Sequence, residues 1–94
     1  MACCLSPFCA SEVIVDTAMD GHCAECGLRH RRRAGAEGWG HLVGPLVVTL
    51  GGANHEVLEA DAVRFREGYF TIDVSGGSIR VEPVARLVRI VAGD

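Results

Sequence analysis

The sequence has 94 residues, a formal charge of −3, nine arginines, no lysine and five cysteines. A chain of this length forms one domain or two very small ones and buries only a modest share of its surface, so an additional stabilising device is expected. The acidic balance disfavours DNA or RNA binding by the whole surface, because nucleic-acid-binding proteins usually carry an excess of positive charge, although a local basic patch can serve.

The N-terminal residues, MACCLSPFC, lack the basic and apolar segments of a secretory signal. This predicts a cytoplasmic and reducing location, where clustered thiols are metal ligands or redox centres more often than disulfides. The longest apolar run, residues 42–50, is interrupted by glycine and proline and falls far short of the roughly 20 residues of a membrane helix. The sequence therefore predicts a soluble protein that does not associate with membranes.

Four of the five cysteines form two closely spaced pairs, Cys4 with Cys9 and Cys23 with Cys26. Two thiolates from each of two loops supply the four ligands of a closed structural zinc site. Between the pairs, a β-branched run at residues 12–16 and an Asp-Gly step within residues 17–21 predict a hairpin that brings the loops together. The sequence thus predicts that these four cysteines bind zinc.

Residues 4–28 resemble a zinc ribbon, especially the one at the N-terminus of general transcription initiation factors. That family combines Cys-Pro-x-Cys, a valine-rich strand ending in Asp, a Gly turn and Cys-x-x-Cys-Gly, and the stretches PFCASEVIVD and DGHCAECGL match those parts. Ser6 stands where the family's first cysteine would be, so Cys3 and His22 remain alternatives to Cys4 as a ligand. The resemblance implies a ribbon fold and a role associated with transcription or nucleic acid.

Two other chemistries remain open for the cysteines. A redox pair at Cys23 and Cys26 is one, but such pairs usually begin a helix, whereas residues 27–33 are typical of a strand. Iron bound by four thiolates is the other. With four cysteines available, His22 and His30 are expected to be surface histidines and not ligands.

The segment at residues 29–33 is strongly basic. Its side chains either offset the −2 charge of zinc with four thiolates or contact phosphate, which makes Arg29, Arg31 and Arg33 candidate partner-binding residues. Trp39 lies in the glycine-rich stretch that follows. It either fills the gap between two structural units or anchors a partner, since exposed tryptophan is enriched in interface hot spots.

From residue 46 onward, apolar residues alternate with a period of two, which predicts five or six short strands. A single 3₁₀ turn is predicted at residues 83–86, before the last strand. The side chains expected to point inward are Val63, Phe65, Phe70, Ile72, Val74, Ile79 and Val81. This pattern predicts a small SH3-like β-barrel, and an open sandwich has the same pattern.

The complete prediction is an all-β protein with a zinc ribbon at residues 1–33, a Gly-rich connector at 34–45 and a small β-barrel at 46–94. Serines, histidines and acids show no catalytic spacing, so the protein is predicted not to be an enzyme. Almost half of the residues are apolar and the mean hydropathy is +0.25, which favours contact with another protein surface.

The expected function is that of an assembly or adaptor protein that docks onto a larger macromolecular complex, such as a phage-like particle, or forms a homo-oligomer. The alternative is a zinc-ribbon protein associated with nucleic acid or transcription, which contacts phosphate through residues 29–33.

Overall fold

The structure is a computed structural model that describes residues 4–9, 11–32 and 38–93. Its strands are β1 (Val13–Val15), β2 (Asp20–Cys23), β3 (Arg29–Arg32), β4 (Trp39–Leu50), β5 (Glu56–Phe65), β6 (Phe70–Val74), β7 (Gly77–Val81) and β8 (Leu87–Ala92). The all-β prediction is confirmed, as is the 3₁₀ turn, which spans Val84–Arg86. Within the described ranges, no helix is long and apolar enough to cross a membrane.

All eight strands belong to one antiparallel sheet, in which β1 to β7 follow each other in chain order and β8 pairs with β4. β5 occupies one edge of β4, while the other edge is shared by β3 along its first half and β8 along its second half. The sheet is not closed, so the prediction of a closed barrel is wrong. The reason is that β8 pairs with the central strand β4 and no ladder joins it to β7 in the described part of the chain.

β4 begins at Trp39 and therefore occupies much of the stretch that was predicted to be a Gly-rich connector at 34–45. Residues 34–37 lie outside the described residues. From residue 39 onward, pairing with β3 and then β5 satisfies the backbone groups that glycine leaves accessible, and this tertiary pairing outweighs the low strand propensity of glycine. β5 is likewise one continuous strand, of ten residues.

A bulge interrupts β4 at Gly44 and Pro45. The register shifts there, because Val43 pairs with Ala62 and Leu46 pairs with Ala60. Proline has no N–H to donate to a ladder, so it is tolerated at such a break, and bulges bend the strand that contains them. The backbones approach closely: a Cβ on Gly44 would lie 2.5 Å from the carbonyl oxygen of Ala60.

The main core lies on one face of this sheet. The predicted inward positions Val63, Phe70, Ile72 and Val81 are buried, which confirms these four predictions, and Phe65 and Val74 are partly buried against the core. Ile79 differs, because it is 38% exposed. It lies on β7, which is paired only with β6 among the described strands, so this edge position is less well covered.

Substitution of Gly44 by alanine should destabilise the fold, because the new methyl group would collide with the backbone of β5. Overpacking of this kind typically costs about 1–3 kcal/mol. The measurement is the midpoint of urea unfolding. Gly77→Ala is the matched control, since a Cβ there has no neighbour within 4 Å. Equal midpoints for the two variants would contradict the close approach.

Candidate metal centre

The first hairpin positions two of the cysteines. β1 and β2 pair with Val13 opposite Cys23 and Val15 opposite Gly21, which confirms the predicted hairpin. After β2 the chain turns back, with the N–H of Gly27 donating to the carbonyl of Cys23 at 3.1 Å. Gly27 has a φ of 76°, a left-handed conformation that favours glycine. Cys26 is thereby held within the turn.

The preceding loop positions the other two cysteines. The N–H of Cys4 donates to the carbonyl of Ser11 at 2.8 Å, and the N–H of Cys9 donates to the carbonyl of Ser6 at 3.2 Å. Ser6 is buried, and its Oγ accepts from the N–H of Phe8. Ser6 therefore closes the wider loop through which Cys4 reaches the cluster.

The structure brings together the four cysteines predicted as ligands, Cys4, Cys9, Cys23 and Cys26, with all sulfurs within 4.8 Å of one another. The Sγ atoms are 3.7 Å apart between Cys4 and Cys26 and 3.6 Å apart between Cys9 and Cys23. These separations are much longer than a disulfide bond of about 2.05 Å. Thiolates arranged tetrahedrally about 2.3 Å from an ion have edges of about 3.8 Å. The cluster can therefore hold a metal ion.

The alternative ligands have different positions. His22 lies outside the sulfur cluster, and its Nδ1 is 2.7 Å from a carboxylate oxygen of Asp16. Its side chain is 41% exposed, in agreement with the surface position that was expected. Cys3 lies outside the described residues.

The thiols differ in acidity. Burial raises the pKa of Cys4 and of Cys26. Burial acts in the same direction on Cys23, but the N–H groups of Cys26 and Glu25 donate to its Sγ and the net effect lowers its pKa to about 7. The two N–H groups thus stabilise the thiolate form of Cys23, whereas burial favours the protonated form of Cys4 and Cys26, which must lose protons to bind a metal.

His30 ties the first loop to β3. It is fully buried, its Nε2 accepts from the N–H of Leu5 at 3.0 Å, and its Nδ1 lies 2.9 Å from the carbonyl of Leu28. Accepting at Nε2 requires the neutral ring with its proton on Nδ1. Burial also lowers the pKa of His30. The surface position expected for His30 is therefore wrong, because strand alternation points it opposite to its arginine neighbours.

Trp39 packs beside the cysteine cluster. A Cβ on Gly21 would lie 2.5 Å from Cη2 of the indole, so glycine is required there. The ring is in an edge-on contact with His30, 5.9 Å between centroids, and the guanidinium of Arg32 lies 4.4 Å from the centre of the indole. The indole of Trp39 thus packs against β2, β3 and the cysteine cluster, while its role as a partner anchor stays a prediction.

The basic run divides into differently placed side chains. Arg29 is exposed, and Nε of Arg31 donates to Asp20 at 2.9 Å. Arg32 is engaged with Trp39, and Arg33 lies outside the described residues. Among the described residues 29–32, Arg32 is therefore placed apart from Arg29 and Arg31. The outward members of the basic run belong to the solvent-facing side of the sheet.

The donor set of the cluster is four sulfurs, and it includes no histidine or carboxylate within the part of the chain that the structure describes. Four protein ligands complete the coordination of a structural zinc-type site, whereas catalytic sites keep a position for water. No protein-family model, curated protein or solved structure matches the chain.

Replacing His30 by alanine should weaken metal binding without removing a ligand. The N–H of Leu5 loses its acceptor, and the loop that carries Cys4 loses its attachment to β3. Loss of such an orienting contact typically lowers metal affinity about 10- to 100-fold. Competition against a chelator measures this change. The control, His55→Ala, alters an exposed histidine away from the cluster, and an equal loss in both variants would contradict the role of His30.

Metal affinity should rise with pH. The raised pKa values of Cys4 and Cys26 mean that both thiols lose a proton on binding, and these two protons alone make the apparent association constant rise at least about 100-fold per pH unit at neutral pH. Below about pH 7, Cys23 adds a further proton to this dependence. Chelator competition across a pH series gives the slope, and a flat profile would exclude binding through these thiols.

Proposed function

We propose that the chain is a non-enzymatic protein that binds one structural zinc ion and serves as an adaptor or assembly component of a larger protein complex. The ligands are Cys4, Cys9, Cys23 and Cys26. The observation that carries this proposal is their four-sulfur cluster, whose spacing suits a thiolate-coordinated ion.

The donor chemistry supports zinc. Thiolates select soft or borderline ions, and zinc accepts four of them without a geometric preference of its own. Iron accepts the same donor set and is the competing ion. A zinc ion at this position would crosslink the loop before β1 to the turn after β2. It would act as a structural link, since four sulfur ligands leave no position for a substrate.

The surface of the first hairpin supports the adaptor role. Three large apolar side chains project from it, with exposures of 47% at Ile14, 55% at Val15 and 42% at Met19. They lie on the edge strand β1 and in the loop that follows it. Exposed apolar side chains concentrated in one hairpin frequently mark contacts with another protein. The metal-stabilised hairpin would present them to the partner complex or to a second copy of the chain.

Substitution of Cys4 by serine should remove stoichiometric zinc, because an alcohol replaces a thiolate ligand. Native mass spectrometry of the purified chain reports both the mass of the bound ion and the number of subunits. The wild-type chain should carry one zinc ion. Loss of a structural zinc should also lower the thermal unfolding midpoint substantially, as metal binding contributes folding free energy.

Cys3→Ser provides the matched control, since it makes the same chemical change one residue away and should leave the zinc content at one. Zinc loss in Cys3→Ser together with retention in Cys4→Ser would contradict the ligand assignment. If the bound ion has the mass of iron, the proposed metal is iron and not zinc. A metal-free wild-type chain, prepared without chelator, would exclude the structural metal site altogether.

A further inference from the structure

The solvent-facing side of the sheet carries a row of basic side chains on four of its strands, β3, β4, β5 and β7. Arg31 on β3 pairs with His41 on β4, and Leu42 pairs with Val63, which places Arg64 of β5 next along the row. Arg64 pairs with Thr71 of β6, and Thr71 pairs with Arg80 of β7. We call the surface formed by Arg29, Arg31, His41, Arg64, Arg66 and Arg80 the basic face.

Strand alternation separates the basic face from the core. In the neighbouring row, the core buries His30, Leu42, Val63 and Ile72, and the row ends at Ile79 on the edge strand β7, which is 38% exposed. Arg29, Arg66 and Arg80 are exposed, and His41 and Arg64 are half-buried between their neighbours. The row is therefore a continuous surface, because successive strands contribute to it side by side.

The basic face differs in charge from the rest of the protein. It holds five arginines and three carboxylates, those of Asp20, Asp73 and Glu82, which gives it a charge of +2. The remaining four arginines and nine acids give the rest of the chain −5. The overall charge of −3 thus conceals a local positive surface. A face of this sign, on an acidic protein, is complementary to an anionic partner.

The carboxylates on the basic face do not block it. Asp20 pairs with Arg31, Asp73 with Arg64 and Glu82 with Arg80, and all three pairs are partly or largely exposed to solvent. Exposed pairs contribute about 0–1 kcal/mol, so an incoming phosphate can replace a carboxylate at small cost. Arg29 and Arg66 have no ion pair among the described residues.

Burial lowers the pKa of His41, and the positive charges of Arg64 and Arg31 lower it further.

We propose that the basic face binds single-stranded nucleic acid, with the phosphates on the arginines. Strands lie about 4.8 Å apart, so Arg31, Arg64 and Arg80, each two strands from the next, are spaced about 10 Å apart across the sheet. A flexible single strand can adjust its phosphates to such a row.

Aromatic rings between the arginines favour a single strand over a duplex. His41 lies within the row. The guanidinium of Arg80 stacks on the ring of Tyr69, at 3.9 Å from the ring centre. Unpaired bases can stack on exposed rings and guanidinium planes, whereas the bases of a duplex are already stacked on each other. The assignment uses side chains of β3 to β7, most of which are far from the cysteines in sequence, and so it goes beyond the proposed zinc site.

The test is fluorescence anisotropy of a labelled oligothymidylate of about 15 nucleotides, titrated with the zinc-loaded full chain at low salt. The double variant Arg66→Gln/Arg80→Gln should lose about tenfold or more in affinity. Each phosphate contact on a single strand contributes about −0.7 to the slope of log K against log salt, so the slope should become less negative by about 1.4. Urea unfolding midpoints verify that the variants are folded.

The matched control is Arg86→Gln/Arg89→Gln, which makes the same change in net charge near β8. Arg89 pairs with Thr49, which is eight residues or about 26 Å along β4 from His41. This variant should keep wild-type affinity, and equal losses in the two variants would overturn the assignment of the basic face.

Three further results would overturn the proposal. One is the absence of saturable binding of the oligonucleotide at low salt, and another is that duplex DNA, at equal phosphate concentration, displaces the oligonucleotide as well as a single strand does. The third is that polyglutamate displaces it equally well, which would assign the face to an acidic protein. Zinc content is measured on the same samples. A zinc-loaded chain that does not bind the oligonucleotide would therefore exclude this inference and leave the proposed zinc site intact.

Discussion

β4 forms backbone ladders with three other strands along its twelve residues, and these ladders join the candidate metal centre to the rest of the sheet. Its first half extends the hairpin that carries the cysteines, through β3. Its second half lies between β5 and β8. Because one strand serves both regions, the orientation of the cysteine hairpin relative to the main core is set by hydrogen bonds and the bulge at Gly44, and no flexible linker intervenes in β4.

The cysteine cluster has little interior of its own. Its buried members are Cys4, Val13 and Cys23, and two of these are candidate ligands. Burial of so few side chains cannot offset the conformational entropy lost on ordering the hairpin and the preceding loop. The contact between His30 and Leu5 supplies one attachment to the larger core, and Leu28 is buried within that core. A metal ion would supply the remaining crosslink, which explains why the thiols are collected here.

Local features of the sequence predicted the parts of the structure that depend on neighbouring residues. The spacing of the cysteines and the β-branched run between them are sufficient for the hairpin and the four-sulfur cluster, and the 3₁₀ turn after Pro83 follows from similarly short-range signals. The open sheet was not predictable in this way. Whether β8 pairs with β4 or with β7 is decided by packing between residues distant in sequence. The alternation of apolar and polar residues along the strands is the same for both pairings.

Local composition also gave wrong expectations at two places where the alternation of side chains along a strand decides which residues are buried. The glycine content of residues 34–45 indicated a linker, although Trp39 and Leu42 lie in β4, where Trp39 packs against the cysteine cluster and Leu42 belongs to the main core. His30 lies within the basic run and was therefore predicted to be exposed, but it points inward while Arg29 and Arg31 point outward. The period of two was visible at these positions, but the uniform charge of the run indicated a solvated segment.

The register of β3 on β4 therefore determines both the attachment of the loop that holds Cys4 and the exposure of the β3 arginines. Because side chains alternate between the faces of a strand, a slip of one residue would exchange every buried position of β3 for an exposed one. Such a slip would bury Arg31 without a partner and expose His30, which would release Leu5 and the loop that holds Cys4. It would also turn Arg29 and Arg31 away from the basic face. The cost of burying an unpaired guanidinium disfavours the slipped state, so the same alternation that fastens the metal loop keeps the arginines in solvent.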